Sequence, residues 1–207
     1  PSLLTLAFVC FFFDFDLDGR LDIFLANGHV ENDINRVQPS VTYAEPPHLF
    51  RGLGGGRFEQ AEGQSGPDLQ RPIVGRGAAH ADYDNDGDLD IAVSTNNGPA
   101  ILLRNDGGNA GGWLRLRLVG RKSNRDAIGA VVRLHTGDVT SARTVRAAAS
   151  YASQSELILT FGLGPAKDGR FPASDVQVTW PDGTAQTVTG LEAGRLHVLE
   201  EPPASTP

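Results

Sequence analysis

FDFDLDGRLDIFLANG, residues 13–28, returns 68 positions later inside ADYDNDGDLDIAVSTNNG, residues 81–98. Asp14, Asp16, Asp18, Gly19, Leu21, Asp22 and Ile23 of the first copy correspond to Asp82, Asp84, Asp86, Gly87, Leu89, Asp90 and Ile91 of the second. Both read D-x-D-x-D-G-x-x-D and then run into LDIFLA or LDIAVS, which are strand-like. A second similarity follows each copy. HLFRGLGGGRF, residues 48–58, resembles ILLRNDGGNAGGW, residues 101–113: an apolar strand, an Arg, a Gly-rich turn, then an aromatic. Repeats of this kind mark a propeller or array, in which a unit buries its apolar face only against its neighbours.

The spacing within the repeat has a chemical reading. In a tightly curled loop alternate residues point inward, so Asp14, Asp16 and Asp18 converge, as do Asp82, Asp84 and Asp86. The glycine that follows, Gly19 or Gly87, permits the sharp turn. The carbonyl of Arg20 or Asp88 then faces the same point, and Asp22 or Asp90 closes the cage. The Asp88 side chain is expected to point away and to be peripheral at best. Calcium takes six to eight hard oxygens, which such a cage supplies. Carboxylates roughly 4 Å apart repel by about 4 kcal/mol per pair at an effective dielectric near 20, so an acidic turn without a cation gains nothing evident. Two Ca²⁺ sites are therefore expected. An EF-hand would need a Glu at the twelfth position and flanking helices. Leu25 and Val93 stand there instead, ahead of strands. Lacking a bidentate Glu, the sites should bind in the extracellular range, about 10⁻⁴–10⁻³ M.

Composition supports a cation reading over a generally acidic surface. The formal net charge of the 207 residues is −7, yet nine aspartates of the two clusters account for more than all of it. No strongly basic domain is evident, which excludes nucleic acid as the expected partner. Hydrophobic residues make up 40 % of the chain, enough for real cores. The single cysteine, Cys10, allows no internal disulfide and leaves the compartment open. Met is absent, as in a processed or truncated chain. The apolar stretch at residues 3–13 has no basic flank, is too short to span a bilayer, and reads as a buried strand.

Residues 31–47 and 62–77 read as surface connections rich in Gly, Pro and polar residues. From Trp113 onward alternating strand patterns take over, beginning with WLRLRLV. Pro181-Asp182-Gly183 is a hairpin turn. No segment shows a helical period. The expected fold class is all-β: a partial β-propeller of about two blade units over residues 1–110, a C-terminal β-sandwich-like domain over 111–200, and a disordered tail at 201–207.

Other candidates are weak. The five histidines lack zinc-site spacing. GQSG at residues 63–66 is not a nucleophile elbow, and GLGGGR at 52–57 fits a hairpin better than a dinucleotide loop. Arg115, Arg117, Arg121, Lys122 and Arg125 read as the solvent face of a strand and its turn, or as a site for an acidic polysaccharide. Ser150, Tyr151, Ser153 and Gln154 suggest turn hydrogen bonding, with no chemical mechanism attached.

The two Asp loops with their LDI strands resemble FG-GAP/VCBS-type repeats, the blades of integrin-like β-propellers. NRDAIGAVVRLHTG (residues 124–137), with ASYASQSE, LTFGLG and VQVTWPDGTAQTV downstream, resembles the ASPIC/UnbV domain. That order is similar to the cartilage acidic protein family and its bacterial relatives. The resemblance implies a secreted, calcium-binding, adhesion-type protein without catalytic residues, whose partner is a protein or glycan. It also implies further propeller blades beyond these two, without which open strand edges invite aggregation or dimerisation. By the same resemblance the ligands are Asp14, Asp16, Asp18, Asp22 and Asp82, Asp84, Asp86, Asp90. The alternatives are a secreted carbohydrate-active hydrolase or lyase using the aspartates as acid/base pairs, and a purely structural fragment that caps a larger propeller.

Overall fold

A computed structural model describes residues 4–61, 63, 65–136, 139–166, 171 and 174–203. The chain is all-β, as its patterning implies. The N-terminal part contains two antiparallel meanders. The first joins β1 (Ala7–Phe13), β2 (Asp22–Asn27), β3 (His48–Gly54) and β4 (Arg57–Gln60) in sequence order. The second joins β5 (Gly75–Ala81), β6 (Asp90–Thr95) and β7 (Ile101–Leu103). These are the two blade units. A four-residue helix, α1 (Ile34–Val37), interrupts the first long connection, where the composition suggests only loop.

The apolar N-terminal stretch forms β1, but as a strand with one buried face. Val9, Phe11 and Phe13 enter the core while Cys10 and Phe12 face outward. The buried row stacks with Phe24, Ala26, Leu49, Ala78, Ile91 and Val93 in one core shared by both meanders. Phe11 packs on Phe24 and edge-on to Phe13, with centroids 5.3 and 5.4 Å apart. Each unit buries its face against the other, as repeat units must.

A 3₁₀ turn at Gly108–Ala110 leads into the second domain. There β8 (Gly112–Val119), β11 (Leu159–Gly164) and β14 (Arg195–Glu200) form one sheet, with β14 parallel to the central β8. The other contains β9 (Val131–Thr136), β10 (Val139–Thr144), β12 (Ser174–Thr179) and β13 (Ala185–Leu191), in the order β10-β9-β12-β13. The two sheets face each other across a core of Leu114, Leu116, Val132, Leu134, Phe161, Val176, Val178 and Trp180. The Pro181-Asp182-Gly183 turn joins β12 to β13, with the Trp180 amide donating to Thr184 O at 2.8 Å. Glu201 corrects the expected tail. It is buried, and its Oε2 accepts the backbone amides of Arg121, Lys122 and Ser123. Residues 204–207 of that tail lie outside the described residues.

The domains meet along β11. Gly162 passes so close to the first Asp loop that an added Cβ would sit 2.3 Å from the Leu17 carbonyl carbon and 2.5 Å from Asp14 Oδ2. Gly66, by contrast, has nothing within 4 Å of such a Cβ. Gly162→Ala should therefore lower unfolding stability by roughly 1–3 kcal/mol, the usual cost of overpacking. Gly66→Ala should change it by less than about 0.5 kcal/mol. Urea unfolding midpoints of the two variants check this; equal midpoints would remove the close seam from the account.

Candidate cation-binding loops at the domain seam

Both Asp loops connect hairpin strands at the same register. Phe13 faces Asp22 across β1–β2, and Ala81 faces Asp90 across β5–β6. Their internal bonding repeats almost atom for atom. The Phe15 amide donates to Asp22 Oδ2 and the Tyr83 amide to Asp90 Oδ2, each at 2.8 Å. Gly19 and Gly87 amides donate to Asp14 Oδ2 and Asp82 Oδ2, each at 3.1 Å. Arg20 and Asp88 amides donate to Asp18 Oδ1 and Asp86 Oδ1. Leu17 and Asn85 both take left-handed backbone, at φ 52° and 63°, and Gly19 and Gly87 follow at 90° and 104°. The curl is thus written by the ninth-position aspartate and the glycine, before any ion is considered.

Within these loops, one oxygen from each of Asp14, Asp16 and Asp18 lies within 4.8 Å of the others, and so do oxygens of Asp82, Asp84 and Asp90. Asp22 stands outside the first group. Its two oxygens hold the amides of Phe15 and Gly52, so it organises the loop. Asp86 stands outside the second group and holds Asn109 Nδ2 at 2.8 Å. Asp88 is fully buried; its Oδ2 accepts the Asn109 amide, and its Oδ1 has no hydrogen-bond partner among the described residues. The Arg20 side chain reaches back to Asp18. The donor set fits a hard cation. Asp14 Oδ1 and Asp16 Oδ1 are buried atoms with no hydrogen-bond partner among the described residues, and a buried carboxylate oxygen is costly to leave unmade.

Sequence reading missed the basic residues that meet these carboxylates. Arg115 is buried rather than solvent-facing, which corrects its place in the basic run. It donates to Asp82 Oδ2 at 2.5 Å and grips both oxygens of Glu156 at 2.6–2.7 Å. Arg143, from β10, stands 3.9 Å from Asp14 Oδ2. Arg51 bridges Asp16 at 2.8 Å and Asp18 at 3.4 Å. Of the remaining basic run, Arg121 pairs with Glu200 and Lys122 with Asp182. The alternation in WLRLRLV gave no warning, because Arg115 faces the domain seam, a surface that periodicity reads as solvent.

Ser150–Glu156 acquires a structural role that its sequence did not reveal. Ser153 Oγ accepts the Ala78 amide, Ser155 Oγ the His80 amide, and Glu156 Oε1 the Asp82 amide. Alternate residues of β5 present their amides along one edge, and this segment caps that row. Ser150 Oγ does the same for the Cys10 amide of β1. The C-terminal domain therefore caps the free edge of β5 beside the second Asp loop and touches β1 at Cys10.

Electrostatics follow from the crowding. Burial lifts the Asp14 carboxyl to about 7, with Arg143 pulling it down and Asp22, Asp18 and Asp16 pushing it up. Burial lifts Asp22 to about 6 against the amides of Gly52 and Phe15. Burial and the charge of Asp86 lift Asp88 to about 7. Burial also lowers His80 to about 4.

The chain shows similarity to known families in both halves. Residues 14–93 match the FG-GAP-like repeat, and residues 120–206 match ASPIC and UnbV. Cartilage acidic protein 1 of Mus musculus is 30 % identical over 175 residues, covering 82 % of this chain and 25 % of that protein. The Homo sapiens protein of the same name is 31 % identical over 175 residues, covering 82 % and 24 %. The Xenopus tropicalis one is 31 % identical over 195 residues, covering 90 % and 27 %. The chain spans about a quarter of the length of these relatives.

A carboxyl raised in the fold makes the metal-free protein bind more protons than its unfolded chain between the ordinary and the raised value. Stability from Asp14 should therefore fall as pH rises from about 4 through 7. His80 works in the opposite sense, so the clean comparison is with Asp14→Asn. In chelator, D14N should gain on the wild type between pH 5 and pH 8 by on the order of 1 kcal/mol or more. Denaturant melts at the two pH values check this, and a pH-independent difference would contradict it.

Proposed function

The chain belongs to the family in which FG-GAP-like repeats precede an ASPIC and UnbV domain, and from that premise we propose that it is a calcium-binding, non-enzymatic portion of an extracellular binding or adhesion-type protein. The observation that carries this reading is the pair of in-register aspartate loops, with Asp14 Oδ1 and Asp16 Oδ1 buried and unpartnered in the first. In the first loop Asp14, Asp16 and Asp18 hold the ion, with Asp22 setting the curl and the Arg20 carbonyl available from the backbone. In the second, Asp82, Asp84 and Asp90 converge, with Asp86 beside them and the Asp88 carbonyl following. The bound ion supplies neutralising charge and oxygen coordination and does no chemistry.

Several features support the extracellular, adhesion-type part of the reading. The expected affinity, about 10⁻⁴–10⁻³ M, suits calcium outside cells. The relatives are named for cartilage. The partner is a protein or glycan, engaged on surfaces that the stiffened loops hold in place. The relatives' greater length supports further blades flanking these two. Val30, Tyr83 and Leu102 are exposed on this part of the molecule, where such blades would cover apolar surface.

Calcium that binds only the folded state stabilises it. At ten times Kd one site adds about 1.4 kcal/mol, which raises Tm by roughly 3–5 °C for a chain of this size. Thermal melts in millimolar calcium and in chelator check this. An unchanged midpoint would defeat the calcium reading.

A further inference from the structure

The two loops share one backbone design but differ in which aspartates leave carboxylate oxygens available and in how buried those oxygens are. In the second loop Asp82 has none to spare. Its Oδ1 accepts the Asp86 amide, and its Oδ2 accepts the Gly87 amide and Arg115. Asp90 is likewise committed, to the amides of Tyr83 and Asn105. Of the three aspartates that converge there, Asp84 alone, which is exposed, offers oxygens free of such bonds; the orphaned Asp88 Oδ1 lies outside that group, on a side chain held by the Asn109 amide. In the first loop Asp14 Oδ2 accepts the amides of Gly19 and Gly162, while its Oδ1 is buried without a partner, as is Asp16 Oδ1.

The arginines differ in the same direction: Arg143, the largely buried cation beside the first loop, stands 3.9 Å from Asp14 Oδ2, whereas Arg115 lies 2.5 Å from Asp82 Oδ2. Arg115 is 5 % exposed, pinned between Asp82, Glu156 and the Thr160 hydroxyl. Moving it off Asp82 would break a buried ion pair, which is strongly unfavourable. Arg20, on the first loop, and Arg51, on β3 beside it, are 50 % and 29 % exposed and can turn into water. Solvated pairs of that kind contribute little and yield readily. The residue matching Arg51 in the second copy, Arg104, pairs with Asp106 instead of the loop.

We propose that the loops are unequal cation sites: the first is the open, tighter one, and Arg115 is a fixed internal counter-cation that weakens the second. This rests on the calcium reading above. It gives Arg115 a positioning role that sets calcium affinity at a neighbouring carboxylate, and it makes the seam between the domains part of the second site. One consequence is graded occupancy, in which the first loop fills at lower calcium than the second.

Calorimetric titration of the 207-residue chain with CaCl₂ tests this in four proteins: wild type, D16N, D84N and R115Q. The wild type should show two affinities at least tenfold apart. D16N should lose the tighter event and D84N the weaker one. R115Q should tighten the weaker event at least tenfold and leave the tighter one within about twofold. If R115Q does not fold, the D16N and D84N assignments decide the ranking alone. Two equal affinities, or loss of the tighter event in D84N, would overturn the inequality while leaving calcium binding in place. An unchanged weaker event in folded R115Q would remove Arg115 from the account. No binding heat in the wild type at millimolar calcium would remove the calcium reading beneath it, and the inequality with it.

Discussion

Four carboxylates confined to nine residues repel one another, and everything around the two loops answers that repulsion. Part of the answer is local. Backbone amides of Phe15, Gly19, Tyr83 and Gly87 point into the loops and donate to aspartate oxygens. Part is remote, since Arg143 and Arg115 arrive from the second domain. What these leave uncompensated in the first loop, at Asp14 Oδ1 and Asp16 Oδ1, is where we propose that a divalent ion sits.

The same constraint joins the domains. Leu17 is fully buried at the tip of the first loop, and its carbonyl accepts the Gly164 amide from β11. Asp14 accepts Gly162 from the same strand. At the second loop, Gly87 lies against the Trp113 ring with no room for a Cβ. The Ser150–Glu156 segment seals the edge of β5 beside it. A propeller loop that stood alone in water would need only its cation. These loops are instead walled by a second domain, so their charge state and the packing of the seam are one problem.

Much of this was legible before any coordinates. The D-x-D-x-D-G-x-x-D period, the strands after it and the Pro181-Asp182-Gly183 turn all depend on local rules, and each stands where the residues imply. The residues that escaped detection act across the chain. Arg115 lies 33 positions from Asp82, and Ser153 lies 75 from Ala78. An arginine alternating with leucines reads as a solvent face unless another domain covers it. Asp22 and Asp90 read alike because position nine closes a cage, and both accept backbone amides, yet Asp90 lies in the converging group of its loop while Asp22 stands outside its own. Glu201 read as tail because nothing local marks a carboxylate that three distant amides will hold. Hydrophobic period and turn chemistry are visible in sequence; long-range charge pairing is not.

A crystal structure grown in millimolar CaCl₂ tests the central claim most directly. The account predicts a strong ion peak in the first loop, coordinated by Asp14 Oδ1 and Asp16 Oδ1, with Arg51 turned away from Asp16. A water in that place, with Arg51 still bridging Asp16 and Asp18, would contradict it.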